Sequence, residues 1–169
     1  MTPDGFEATV MQLMATVSTM TLATCAGGTP WATDVYFAAD GFNLVFFSSP
    51  RSRHCRNLGI NPSCAATVHP PAASWREIKG LQIEGSAEPL SHLADQAQGL
   101  AAYLHKFPFA RDLLAHPTET VKSLHKASLY VLRPSRLHYL DNSLGFGTRY
   151  WASIKEGRII DAPQLEKST

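Results

Sequence analysis

The chain has 169 residues, enough for one domain with a sizeable core. Apolar residues make up 44% and charged residues 17%, which excludes an intrinsically disordered chain. The formal net charge is +1, and basic residues are scattered apart from Arg51, Arg53 and Arg56, so neither a nucleic-acid groove nor an anionic membrane is implied as a partner.

Thr2-Pro3-Asp4 reads as a helix start, with a capping hydroxyl, a proline at the first helical position and an acid in the first turn. Phe6, Val10, Leu13, Met14 and Val17 follow at helical spacing and should close one side of a core. Met20 to Cys25 is a Thr-rich apolar strand, Ala26-Gly27-Gly28-Thr29 a tight turn, and Trp31 to Ala38 an alternating strand. Asp40-Gly41 marks a hairpin into Leu44–Ser48, apolar enough to be buried on both faces. A short helix runs to Ile60, stopped by Asn61-Pro62, and Cys64 to Val68 is a fourth strand. Glu77 to Leu90 is a long strand in which Gly80 and Gly85 signal a bulge, a barrel bend or a close backbone approach.

Ser91 is expected to cap a helix carrying Leu93, Ala97, Leu100, Ala101 and Leu104, broken by Phe107-Pro108-Phe109. A second short helix should hold Leu113 and Leu114, with another turn starting at Pro117-Thr118. Ser128–Arg133 and Leu137–Asp141 read as two strands bent apart at Pro134-Ser135. Tyr150–Ile154 and Arg158–Ile160 read as a last hairpin across Glu156-Gly157, and the residues from about Ala162 as a frayed tail. Six to eight strands at meander spacing with three helical stretches predict an α+β, mainly β fold: a split antiparallel barrel with helical lids.

The stretch Ser48-Ser49-Pro50-Arg51-Ser52-Arg53-His54 joins a strand to a helix start. Unpaired N–H groups and partial positive charge gather at a helix N-terminus, and serine hydroxyls with basic side chains make that turn a cradle for an anion such as phosphate. A strand capped by a solvated basic turn is the plainer reading of the same residues. Seven histidines (His54, His69, His92, His105, His116, His125, His138) show no HxxxH or HExxH spacing, so no local metal site is expected. The three cysteines, Cys25, Cys55 and Cys64, form no CxxC pair and suit reduced thiols in a cytoplasmic protein. No apolar run is long enough to span a membrane, and Asp4 and Glu7 replace the basic start of a signal peptide. Cys55, beside Arg53 and His54, is the candidate for a lowered thiol pKa. Gly145-Phe146-Gly147 reads either as a tight turn with a packed phenylalanine or as a lid carrying Asn142, Phe146 and Arg149.

The order of these pieces resembles the flavin-binding split barrels related to pyridoxamine phosphate oxidase. The resemblance runs through Pro30-Trp31-Ala32-Thr33-Asp34-Val35, Leu44–Ser48, Ser52-Arg53-His54, Asn61-Pro62 and Leu81-Gln82-Ile83-Glu84-Gly85-Ser86-Ala87-Glu88, and covers roughly residues 4 to 150. Arg53-His54, Phe107-Pro108-Phe109-Ala110-Arg111 and Asp141–Gly147 are similar to an uncharacterised bacterial branch of that superfamily. The resemblance implies a single FMN-binding domain over residues 1–160, with 161–169 a flexible tail, in a homodimer holding a flavin in each interface cleft. Ser48, Ser49, Ser52, Arg53 and His54 would hold the phosphate, with Phe47 also among the cofactor-binding residues. Thr33, Asp34 and Val35 would lie along the ring, and Lys79, Gly80 and Gln82 would reach the cofactor from the neighbouring subunit.

Two positions depart from the family. Thr33 stands where a basic side chain is usual, and His54 replaces the lysine of Ser-Arg-Lys; a neutral imidazole supplies no fixed charge. Arg136-Leu137-His138 matches the letters of the oxidase's substrate-phosphate pair, but it sits in a barrel strand and reads as coincidence. Pyridoxamine phosphate oxidation is therefore not the expected activity. The implied function is an FMN-dependent oxidoreductase acting on a small-molecule substrate or electron donor. The alternatives are a carrier or sensor binding haem or another flavin-like cofactor without turnover, or a fold that has lost its cofactor.

Overall fold

The computed structural model describes the backbone of residues 1–115 and 126–166. The side chains of Leu113 and Leu114, the turn expected at Pro117-Thr118, and His116 and His125 lie outside the described residues. Helix α1 (Pro3–Thr16) starts as expected: the Thr2 hydroxyl accepts the Gly5 N–H at 3.2 Å, and Phe6, Val10, Leu13 and Met14 are buried. Strands β1 (Thr19–Ala26) and β2 (Thr29–Tyr36) form a hairpin whose turn residues Gly27 and Gly28 have φ of 57° and 74°. Both values lie in the left-handed region that a two-residue hairpin turn requires.

The strand read as continuous to Ala38 breaks at Phe37. That residue donates its N–H to the Ser18 carbonyl at 3.2 Å, and the chain resumes as β3 (Ala38–Asp40), paired with β4 (Asn43–Ser48). Helix α2 (Arg53–Ile60) leads to β5 (Ser63–Val68), then to β6 (Lys79–Pro89) after a single 3₁₀ turn at Trp75–Glu77. The sheet curls on itself: β1 pairs β2, β3 pairs β4, β4 pairs β7 (Ser128–Asp141), β7 pairs β6, β6 pairs β5 and β5 pairs β1. Phe6, Met14, Leu22, Phe37, Phe46, Leu81, Leu132 and Leu137 fill the interior, with α1 over one side. The expected split barrel is therefore present.

The expectations for Pro134-Ser135, for Ser91 and for the face of α3 need correction. Pro134-Ser135 does not divide two strands, because β7 runs unbroken and the pairing with β6 slips between Glu84 and Gly85. The bulge lets a residue with no N–H sit in a central strand, and Gly85 is required there because a Cβ would lie 2.3 Å from the Arg133 carbonyl oxygen. Helix α3 (Leu93–Lys106) begins after His92 with no side-chain cap, so Ser91 is not its cap. Of the expected face Leu100 and Leu104 do pack against the second core, beside Gly99 and Tyr103, while Leu93 is 83% exposed and Ala97 and Ala101 are also outside. Gly99 allows this: a Cβ there would stand 3.2 Å from side chains of Leu129, Leu90 and Val45.

The tail is not wholly frayed, since β10 (Gln164–Glu166) pairs with β8 (Arg149–Lys155), which also pairs with β9 (Arg158–Ile159). Ten strands are present among the described residues instead of six to eight; β3 and β10 were not foreseen, while the hairpin of β8 and β9 is the one expected across Glu156-Gly157. Helix α4 (Phe109–Ala115) follows the break at Phe107-Pro108. With α3 it covers a second core on the outer side of β3, β4 and β7, built from Val45, Tyr103, Phe107 and Val131.

Lys106 ties the layers together. Its ammonium donates to the carbonyls of Met14 and Val17, both at 2.7 Å, and lies 3.9 Å above the Phe37 ring. Burial pulls its pKa down to about 8.

Gly85→Ala should lower stability by about 2 kcal/mol or more in urea titrations. Gly59→Ala, in α2 with nothing within 4 Å of the added carbon, should raise it by about 0.5–1 kcal/mol; equal effects would contradict this account. Lys106→Met should cost about 1–3 kcal/mol through the two orphaned carbonyls. Between about pH 8 and pH 10 the unfolded chain holds more protons at Lys106 than the folded one, so the wild type should gain stability on Lys106→Met as pH rises through that window.

Candidate functional site

Strand β4 ends at Ser48, and the chain turns through Ser49-Pro50-Arg51-Ser52 into α2. Ser52 is the cap: its hydroxyl accepts the Cys55 N–H at 3.4 Å, and its own N–H donates to the Ser49 carbonyl at 2.9 Å. The Arg51 N–H reaches the Ser49 hydroxyl at 3.3 Å, and Arg56 Nη1 donates to the Arg51 carbonyl at 2.9 Å. At the other end of α2, Asn57 donates to the Thr24 hydroxyl at 3.1 Å and Asn61 to the Cys25 carbonyl at 3.2 Å, fastening the helix to β1.

Inside this turn His54 is 8% exposed, with Nε2 2.5 Å from the Ser48 hydroxyl and 3.1 Å from that of Ser52. The two hydroxyl oxygens are 3.4 Å apart. Burial raises the Cys55 thiol pKa, but hydrogen bonds from His54, Ser52, Ser48 and the Tyr130 hydroxyl outweigh it and bring the thiol down to about 7. The Tyr130 hydroxyl is pushed up by burial and by the same sulfur. By contrast Cys64, on β5, is pushed up to about 12 by burial alone, which suits an inert thiol. Arg53 sits at the mouth of the turn, its guanidinium stacked 4.4 Å over the Trp31 ring on β2. Hydroxyls and a capped helix start thus meet at this turn, and the next residue's guanidinium is held on Trp31. Tyr130 was not foreseen; it arrives through the β4–β7 pairing, which sets Phe46 opposite it.

The remaining candidates divide into two groups. Thr33 and Val35 share Trp31's side of β2 and are half-buried, whereas the Asp34 carboxylate lies on the other face, accepting the Thr21 hydroxyl at 2.5 Å. Phe47 turns away from Ser48 toward the second core, edge-on to Tyr103 at 5.0 Å.

Lys79, Gly80 and Gln82 are elsewhere. Ser48 pairs with Ser128 at one end of β7, and Lys79 pairs with Asp141 at the other, roughly 40 Å away along the strand. The lid candidates are at that far end. The buried Asn142 donates its amide to the Trp75 carbonyl at 2.8 Å, accepts the Gly147 N–H at 3.0 Å, and gives its backbone N–H to Ile78 at 3.0 Å. Its side chain is therefore a bolt between two turns and does not reach a cleft. The bolt holds the Trp75 and Phe146 rings 6.0 Å apart, half and 74% exposed.

Burial raises the pKa of the neighbouring Asp141 carboxyl, but Ser143, Tyr139 and Lys79 together hold it below the usual range. Arg149 Nε is buried without a hydrogen-bond partner among the described residues. Arg136 and His138 both face Glu84 from mid-strand, at 3.9 and 3.3 Å. Among the described residues no group of three or more His, Cys, Asp or Glu side chains is placed to hold a metal, and no helix is long and apolar enough to cross a membrane.

Comparison with known proteins agrees with the architecture. The chain is 27% identical over 138 residues to the UPF0306 protein YhbP of Salmonella paratyphi A, covering 80% of this chain and 84% of that protein. Its fold is similar to a heme binding protein from Mycobacterium smegmatis, with TM-score 0.67 and 24% identity over 87% of this chain, which spans 56% of that protein's length. It is also similar to a FAD-binding protein from Mesorhizobium loti, with TM-score 0.60 and 15% identity, covering 77% of this chain and 90% of that one. Residues 6–141 match the profile described as Pyridoxamine 5'-phosphate oxidase, and the chain belongs to that family.

Proposed function

We propose that residues 1–160 form an FMN-binding unit and that the protein works as a homodimeric flavin-dependent oxidoreductase. The observation that carries this reading is the seat at the start of α2. Ser48, Ser49 and Ser52 bring hydroxyls, Arg53 brings a fixed charge, and the helix start brings unpaired N–H groups, a donor set that suits a phosphate dianion. Bound FMN would supply hydride or electron transfer at its ring. The chain's own part is to hold the phosphate, orient the ring along Thr33 and Val35, and exclude water.

The division of the candidates between the two ends of β7 supports the dimer. Lys79, Gly80, Gln82, Arg149 and the Trp75–Phe146 platform lie toward the opposite end of β7 from the serine turn, which suits their being offered to the seat of a second copy. Proteins of similar fold described as heme binding or FAD-binding are consistent with a planar cofactor on this fold.

Titration of flavin fluorescence tests the seat. FMN should bind more tightly than riboflavin, which lacks the phosphate, and Arg53→Ala should weaken FMN by about 1.5–3 kcal/mol, roughly 10- to 150-fold in Kd. Equal affinity for the two flavins, or an unaltered Kd in the variant, would contradict the assignment. Phe146→Ala should leave thermal stability unchanged, because the ring is 74% exposed, and weaken FMN by about 0.5–1.5 kcal/mol. A second reading is a carrier or sensor without turnover, favoured by the uncharged Thr33 beside the seat. Anaerobic NADH or NADPH separates the two: rapid bleaching of bound flavin indicates an enzyme, persistent colour a carrier.

A further inference from the structure

An open groove of about 600 Å³ lies between α1 and α3. Met11 and Met14 of α1, Ala39 of β3, and Ala101, His105 and Lys106 of α3 line it, and its other lining residues are alanines. The volume falls in the range of small-molecule sites, about 300–1,000 Å³. No residue of the proposed flavin seat lines the groove. Alanines on the facing helices leave the space unfilled, and unbranched methionines adjust readily to an apolar guest.

The groove holds a cation whose partners are all neutral. An ammonium has three N–H donors. Lys106 gives two of them to the carbonyls of Met14 and Val17, both at 2.7 Å. The Phe37 and Phe107 rings lie 3.9 and 5.5 Å from the same nitrogen. Among the described residues no carboxylate stands within 4 Å of it. A half-buried charge held by neutral groups keeps a desolvation cost that an anion would offset, and burial does disfavour the charged form of this amine. One remaining N–H suits a carboxylate monoanion; a phosphate dianion calls for several donors at once. Apart from Lys106 and the exposed His105 the lining is apolar, so the rest of the ligand should be hydrocarbon.

We propose that this groove binds a small apolar carboxylic acid, its carboxylate accepting the third N–H of Lys106 and its hydrocarbon chain lying between α1 and α3 against Met11, Met14 and Ala101. The site stands whether or not the turn into α2 holds a flavin.

Titration calorimetry with decanoate below its micellar concentration tests it, with decan-1-ol as the uncharged probe. The wild type should bind the acid about tenfold or more tightly than the alcohol, the worth of a charge-assisted hydrogen bond. Lys106→Met should erase that preference. Ala101→Trp, at an exposed position, should abolish binding of both probes by filling the groove. Equal affinity for acid and alcohol, a preference that survives Lys106→Met, or binding untouched by Ala101→Trp would overturn the proposal.

Lys106→Met also removes two bonds to the end of α1, so a measurement on the wild type stands beside it. The chain has four methionines, of which Met11 and Met14 line the groove. On addition of decanoate their ¹³Cε methyl signals should shift while those of Met1 and Met20 stay in place. Signals of Met11 and Met14 that do not move in saturating decanoate would overturn the site.

Discussion

The long antiparallel ladder between β6 and β7 is the constraint on which the rest of the structure depends. It runs from Lys79 opposite Asp141 to Pro89 opposite Tyr130, and its single slip, between Glu84 and Gly85, absorbs Pro134 without ending the strand. Because β7 is continuous, one edge of it can carry β4 at one end and β8 at the other. The first pairing delivers the serine turn and Tyr130 to the same place. The second delivers the Asn142-bolted turns to the opposite end. A substitution that lost the bulge would therefore disturb both halves of the site at once, although neither half touches Gly85.

The seat itself is an economical piece of local chemistry. Ser52 closes the preceding turn with its backbone N–H, and its one hydroxyl both caps α2 and faces His54. His54 is not a free positive tooth, as a lysine at that position would be. It is buried and engaged with Ser48 and Ser52, so the fixed charge at the mouth falls to Arg53, held in place by Trp31. The departure from Ser-Arg-Lys thus changes how charge is supplied more than where the anion would sit.

Much of this was legible in the chain. Local signals sufficed where the physics is local: Thr2-Pro3-Asp4 begins a helix, Gly27-Gly28 and Asp40-Gly41 turn hairpins, and Gly85 marks a bulge. The errors arose where tertiary context decides. Pro134 read as a break because a proline removes a ladder donor, and only the partner strand's bulge reveals that none was needed there. The face of α3 was read correctly at Leu100 and Leu104 but not at Leu93 and Ala97, which are more apolar than Gly99, yet Gly99 is what fits against Leu90, Leu129 and Val45. Tyr130 carried no local signal, since it is brought to the turn by a pairing with Phe46 across about half of the chain. Asn142 was seen as a lid residue from its distinctive neighbours, but the sequence could not show that its amide is occupied at both ends.

The central claim is that the turn into α2 seats the phosphate of a flavin whose ring is walled by a second copy of the chain. A crystal structure of the protein grown with FMN tests it most directly. The account predicts phosphorus within hydrogen-bonding reach of Ser48, Ser52 and Arg53 of one copy, with Phe146 of the other against the ring. A dimer whose serine turns face open solvent, or an FMN phosphate bound elsewhere while the turn stays empty, would contradict it.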